Sequence, residues 1–269
     1  MKTSILGLAL LISSTWAFGN SLPQAFEGSA DFSNCSGFLL RPQARELSKK
    51  AWVLTNGHCV TNWLGRMQLK PGQAFGPRSA GRDVALVTRA GVKTAFRTQR
   101  LIYATMTGTD LAVYELAESY QQLERMGISA FELTTEAPVD GLKVTLFSAH
   151  KDRSFSCAID AVLAGLREGG FEFKDSLRLT DECQQSNGTS GSPMVISGTR
   201  QVVAINNSYN KQGRACTDHN PCEIDEDGDV SVFHGARYAQ QVLPLASCLQ
   251  QGELELGLAG CQLTRPSRP

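Results

Sequence analysis

Three side chains of this 269-residue chain are of the types that together turn a hydroxyl into an acyl-transfer nucleophile: His58, Asp110 and Ser190. That chemistry needs a hydroxyl presented on a sharp turn, a histidine to take its proton, and a buried carboxylate to fix the histidine. Ser190 lies in Gly188-Thr189-Ser190-Gly191-Ser192-Pro193, just before the apolar run Met194-Val195-Ile196. Flanking glycines permit a tight turn and let backbone N–H groups converge on one point. The amides of Gly188 and Ser190 are therefore the candidate oxyanion hole, where one donor is typically worth about 2.7–4 kcal/mol. A bland surface loop of Gly, Ser and Thr has the same composition, so the hexapeptide carries weight only with its partners.

His58 ends the run Ala51-Trp52-Val53-Leu54-Thr55-Asn56-Gly57-His58-Cys59, a buried-strand pattern leading into a turn. The competing reading is a core histidine satisfied by backbone. His150, His219 and His234 lie in polar, loop-like surroundings without this context. A Cys35–Cys59 disulfide would hold the histidine turn against its neighbour. Asp110 opens the apolar run Leu111-Ala112-Val113-Tyr114-Glu115-Leu116. An acid at that place is buried as the strand packs and needs a partner, which a histidine N–H supplies. Asp83, before Val84-Ala85-Leu86, has similar texture and is read as a solvated turn residue.

Short strands must position these residues. Candidates are 37–40, 52–55, 84–88, 93–97, 100–103 and 111–116, then 143–148, 155–163, 176–180, 194–196, 202–205 and 230–233. Many short strands without long helices between them point to an all-β barrel or sandwich. The polar stretch 117–141, with Pro138, separates the two sets and reads as a linker. Near the end, Tyr238, Val242, Leu243, Leu245 and Leu249 fall at helical spacing, which predicts a terminal helix. The residues from Thr264 on read as a frayed basic tail.

Bulk composition narrows the function classes. Lys plus Arg and Asp plus Glu each number 26, so the formal charge is zero and nothing argues for a nucleic-acid partner. Lys2, the apolar run Ile5 to Ile12 and Ala17-Phe18-Gly19 read as an export signal over 1–19, cut near Gly19. The mature chain is expected to be soluble, monomeric, free of membrane contact, and secreted or periplasmic. Eight cysteines fit that route and suggest up to four disulfides. Zinc is disfavoured because no Cys-x-x-Cys occurs and only four histidines exist. No metal or other cofactor is expected.

The three segments, in the order His, Asp, Ser, resemble those of the trypsin/chymotrypsin family of serine peptidases, and Thr-Asn-Gly-His-Cys and Gly-Thr-Ser-Gly-Ser-Pro resemble its bacterial secreted members most. The resemblance runs from about Cys35 to about His234. It implies two packed six-stranded antiparallel β-barrels, expected over 20–120 and 142–235, with a connector over 121–141 and a C-terminal helix and tail over 236–269. His58 and Asp110 would come from the first barrel, and Ser190 with its oxyanion hole from the second. The implied activity is endopeptidase hydrolysis of proteins or peptides through an acyl-enzyme. A catalytically silent binding protein or effector of the same family is the alternative. An esterase is disfavoured because its fold carries the order Ser, Asp, His.

The chain also departs from the family pattern. Many animal members have Asp just before the nucleophile, where it pairs with an N-terminal amine released by proteolysis; here Thr189 stands there, so that activation switch is not expected. By resemblance the base of the primary pocket is near Gln184 and its wall near Asn206 and Asn207, which gives no support for a Lys/Arg preference in that pocket. Also by resemblance, the remaining cysteines pair as Cys157–Cys183, Cys216–Cys222 and Cys248–Cys261. Glu223 to Asp229 is an acidic run that reads as a solvated loop rather than a calcium site. Asn187-Gly188-Thr189 matches the N-glycosylation pattern at a place where a glycan would cover the oxyanion hole.

Overall fold

The computed structural model describes residues 21–62 and 64–266; the export signal expected over 1–19 lies outside this range. Six strands form the first unit: β1 (Ser29–Asp31), β2 (Ser36–Leu40), β3 (Lys50–Thr55), β4 (Asp83–Val87), β5 (Lys93–Thr105) and β6 (Leu111–Ser119). They pair antiparallel in the order β1-β2-β3-β6-β5-β4 and close where β4 meets β1. Six more form the second: β7 (Lys143–Ser148), β8 (Arg153–Glu168), β9 (Phe171–Leu179), β10 (Pro193–Ile196), β11 (Gln201–Tyr209) and β12 (Arg237–Gln241). Their order β7-β10-β11-β12-β9-β8 closes where β8 meets β7. Closure removes the exposed edges that an open sheet would carry.

Side-chain alternation decides which face of each strand is covered. In β9, Phe171 and Phe173 are buried while Glu172 and Lys174 between and after them are exposed. One cluster, including Leu39, Val53, Leu86, Leu101 and Ala112, packs inside the first barrel. Another, including Val144, Ile159, Leu177 and Met194, packs inside the second. A third lies between the barrels, where Phe38, Trp52 and Leu54 meet Phe147, Val195 and Ile205. The catalytic candidates sit along the seam that this third cluster holds shut.

Several expectations are corrected. The segment expected to be a terminal helix is strand β12, which pairs with both β9 and β11 and closes the second barrel. Only one helical turn follows, α2 (Leu243–Ala246), with Pro244 in its first turn, the place where proline's missing N–H costs nothing. The helical spacing of apolar residues was thus a strand and a turn, both buried. Val230 to Phe233 is not a barrel strand: Val230–Ser231 pairs with Cys222–Ile224 in a side ribbon on β8. The connector over 121–141 holds a helix, α1 (Tyr120–Arg125), started by a capping box between Ser119 and Gln122. It also holds Phe131, packed edge-on against Phe38 at 5.9 Å. Thr264 is docked rather than frayed, because its carbonyl accepts the Tyr103 hydroxyl at 2.7 Å.

Candidate active site

His58 sits on a single 3-10 turn, Gly57–Cys59, that ends β3. The turn is pressed so close to β5 that a Cβ at Gly57 would collide with the Thr105 carbonyl. Asp110, 1% exposed, stands at the entrance of β6. Its Oδ1 accepts the His58 backbone N–H at 3.0 Å, and its Oδ2 accepts the His58 Nδ1–H at 2.7 Å. Asn56 Nδ2 donates to the Asp110 carbonyl at 2.9 Å. One buried carboxylate therefore fixes both the turn and the ring, and selects the tautomer with Nε2 free to accept a proton. Burial disfavours the charged imidazole, but the Asp110 carboxylate, and Glu168 beyond it, outweigh this and raise the His58 pKa above its ordinary 6.5.

Ser190 follows the turn at Gly188 and precedes Gly191, both with positive φ, +92° and +83°. A Cβ at Gly191 would collide with the Ser36 carbonyl and the Thr55 hydroxyl. The N–H groups of Thr189, Gly191 and Ser192 donate to Ser186, Asn206 and Thr189 carbonyls, whereas those of Gly188 and Ser190 donate to no acceptor among the described residues. Thr189 is held by neutral bonds: its hydroxyl donates to the Ser186 carbonyl at 2.8 Å and accepts from Asn206 Nδ2 at 3.0 Å. The Ser190 hydroxyl donates to the Asn207 carbonyl at 3.1 Å.

Two clasps bring the barrels into register at this point. Ser36 N donates to the Ser190 carbonyl at 2.8 Å. Ser36 adjoins Cys35, which is disulfide-bonded to Cys59, the residue after His58. A short covalent path thus runs from Ser36, the residue that holds the Ser190 carbonyl, to His58. On the other side, Gly108 N donates to the Glu172 carbonyl at 2.9 Å and Lys174 N to the Gly108 carbonyl at 2.8 Å, so the β8–β9 hairpin grips the loop that carries Asp110. The remaining disulfides join Cys157 to Cys183, Cys216 to Cys222 and Cys248 to Cys261.

His58, Asp110, Gly188 and Ser190 all line one cleft of about 560 Å³. A larger depression of about 960 Å³ lies elsewhere on the second barrel, and its Arg178 is already paired with Asp160 and Glu223. Of the expected pocket residues, Asn207 lines this candidate cleft, Gln184 is exposed outside it, and Asn206 is buried behind it against Thr189. Gln185, one residue on from Gln184, takes the place in the lining. The only close group of metal-type ligands among the described residues is Cys35, His58 and Cys59, and its two sulfurs are bonded to each other. In the acidic run, Glu223 is spent on Arg178 and the Tyr238 hydroxyl.

A family model described as a trypsin-like peptidase domain matches residues 35–205, more than half of the chain and a span that includes His58, Asp110 and Ser190. The chain belongs to the trypsin-like peptidase family. Among solved structures it is similar to the MamO protease domain from Magnetospirillum magneticum, at 15% identity and a TM-score of 0.53, covering 84% of this chain and 98% of that one. Kallikrein-related peptidase 10 follows at 13% identity and a TM-score of 0.46, covering 83% of this chain and 93% of that one. Neuropsin from mouse brain gives 12% identity and a TM-score of 0.47, covering 82% of this chain and 92% of that one. Identities this low speak to the fold alone. No curated protein matches the sequence.

Two features of this trypsin-like domain escaped the sequence reading. The first is Glu168 at the end of β8, whose carboxylate enters the cleft. The second is a polar network behind the turn that carries Gly188 and Ser190. His150 Nδ1–H donates to Asp31 Oδ1 at 2.9 Å, and Lys93 Nζ bridges Asp31 at 3.0 Å and Asp152 at 2.8 Å. His150 N donates to the Ser36 hydroxyl, which in turn donates to the Gly188 carbonyl at 3.2 Å. Burial pushes the Asp31 carboxyl up, but Lys93, the Ser33 N–H and His150 together hold it below its ordinary range. Both features join residues more than a hundred positions apart, and no local pattern announces such pairs. Glu168 before Gly169-Gly170 was visible only as a charge ahead of a turn.

Proposed function

We propose that this chain is an exported serine endopeptidase that cuts peptide bonds through an acyl-enzyme. The observation that carries the reading is a histidine clamped by a buried aspartate, opening on the same cleft as Ser190 and two unspent backbone N–H groups. Ser190 Oγ attacks the substrate carbonyl carbon while His58 Nε2 takes its proton. Asp110 stabilises the resulting imidazolium and keeps the ring aligned. The Gly188 and Ser190 amides receive the negative charge on the carbonyl oxygen. The C–N bond then breaks, with His58 returning the proton to the leaving amine. Water, deprotonated by His58, releases the acid and restores the hydroxyl.

Four disulfides support an oxidising compartment outside the cytoplasm. No described helix is long and apolar enough to cross a membrane. The neutral bonding of Thr189 supports activity without trimming, since no buried carboxylate waits there for a new amine.

A catalytically silent family member is the second reading, favoured by one contact: the Ser190 hydroxyl rests on the Asn207 carbonyl and makes no hydrogen bond to His58. Rotation about the Ser190 Cα–Cβ bond moves the hydroxyl between staggered wells, and such apo geometry does not disqualify a nucleophile. Labelling by a fluorophosphonate separates the two. An active enzyme labels at Ser190, hydrolyses casein in preference to short-chain esters, and loses both properties in Ser190→Ala. A folded wild-type protein that takes no label is the silent member.

A further inference from the structure

Glu168 is partly buried in the catalytic cleft, yet no Lys or Arg among the described residues forms an ion pair with it. Its Oε1 accepts the His219 N–H at 3.0 Å. Ser208, His58 and Asp110 are its other near neighbours; burial, and to a lesser degree the Asp110 carboxylate, push its carboxyl above the ordinary value against the pull of Ser208, His58 and His219. Lys211 and Asp218 also line the cleft, and neither forms an ion pair among the described residues. A carboxylate withdrawn from water without a cation is costly to keep. Such groups in clefts are retained where a ligand completes them.

The surroundings are built rather than incidental. Gly169 N donates to the Cys216 carbonyl at 3.1 Å, and Cys222–Ile224 pairs with β8 just before Glu168. The Cys216–Cys222 disulfide closes this strap, which fixes the hairpin end from outside. Beside the carboxylate the cleft is lined by Met106, Phe171 and Phe173, all less than 10% exposed. An apolar wall next to an unpaired carboxylate matches a long aliphatic stem with a cationic head.

We infer that Glu168 is the recognition carboxylate of a subsite for a Lys or Arg side chain flanking the bond to be cut. The inference rests on the peptidase reading above and adds the substrate class. It places the basic preference on Glu168 and not on the pocket base near Gln184 and Gln185, both of which are neutral. A Lys ammonium or Arg guanidinium would gain a charge-assisted hydrogen bond in a site that excludes much of the water.

The test compares matched peptides that carry Lys, Arg, Glu, Gln or Met at each of the four positions around one cleavage site. Binding is read by fluorescence anisotropy on Ser190→Ala, so the result does not depend on turnover; kcat/KM is read on the enzyme with an intact Ser190. At one position the basic peptides should bind roughly tenfold more tightly than the neutral ones. In Glu168→Gln that ratio should fall to within twofold of one, and in Glu168→Lys it should invert toward Glu-containing peptides. Because each ratio is internal to one variant, partial misfolding does not imitate the result. No basic preference at any position, or a preference that survives in Glu168→Gln, overturns the inference. Binding with the expected ratios but no hydrolysis by the intact protein would retire the peptidase reading while leaving the subsite in place.

Discussion

The Cys35–Cys59 disulfide offers the sharpest separation between holding the fold and holding the site. It closes a segment with a sequence separation of 24, for which chain-entropy arithmetic gives about 3.4 kcal/mol at 25 °C. For a protein of this size that corresponds to a fall of roughly 7–14 °C in Tm. The bond also links Ser36, whose N–H holds the Ser190 carbonyl, to His58. Replacing both cysteines by serine should therefore do two things. Stability should drop by about the entropic amount, and kcat/KM should fall on the order of ten- to a hundredfold at a temperature where both proteins are fully folded. Urea unfolding followed by circular dichroism gives the first number, and a fluorogenic peptide assay at 15 °C gives the second. If the double variant loses stability yet keeps its full kcat/KM, the covalent path is not what aligns base and nucleophile. If stability changes by less than about 1 kcal/mol, the segment is already ordered in the unfolded ensemble and the entropic account fails.

Other outcomes follow from the charges. The His58 pKa is raised, and only the neutral ring acts as base, so kcat/KM should rise with pH through a midpoint above 6.5. Glu168→Gln removes one of the carboxylates that raise it, so the midpoint should move to lower pH; an unmoved or upward-shifted limb would contradict the assignment. The folded Asp31 carboxyl is depressed below its ordinary value of 3.8, so it contributes stability at neutral pH that is lost as pH falls from that value through the lower folded one. Asp31→Asn should lower Tm at pH 7 and flatten its fall over that acid window, as measured by a pH series of thermal melts. A variant with an unchanged acid limb would show that the Lys93–Asp31–His150 network is not a stabilising one.

Much of the site was legible because its signals are local. Glycines around Ser190, the strand-to-turn pattern ahead of His58 and the acid at the head of an apolar strand each follow from a few neighbouring residues. The barrel strands were visible where runs were apolar and short, as in β2, β3 and β10. The strand β12 was misread because both of its faces are covered, leaving no alternation to distinguish it from a buried helix. The side ribbon at Val230–Ser231 was misread for the opposite reason: its residues carry strand propensity, yet the segment is exposed and pairs only with another short strand.

By itself, then, the order of amino acids specified the candidate catalytic side chains and the turns that present them, since backbone conformation at glycine, capping and apolar runs are short-range physics. What only the tertiary structure decided is which distant groups share a cleft: Asp110 with the ring and N–H of His58, Ser36 with Ser190, Asp31 with His150, and Glu168 with the open space beside them. Those pairings depend on the closure and register of two barrels, a sum over many weak long-range contacts that no single stretch of sequence encodes.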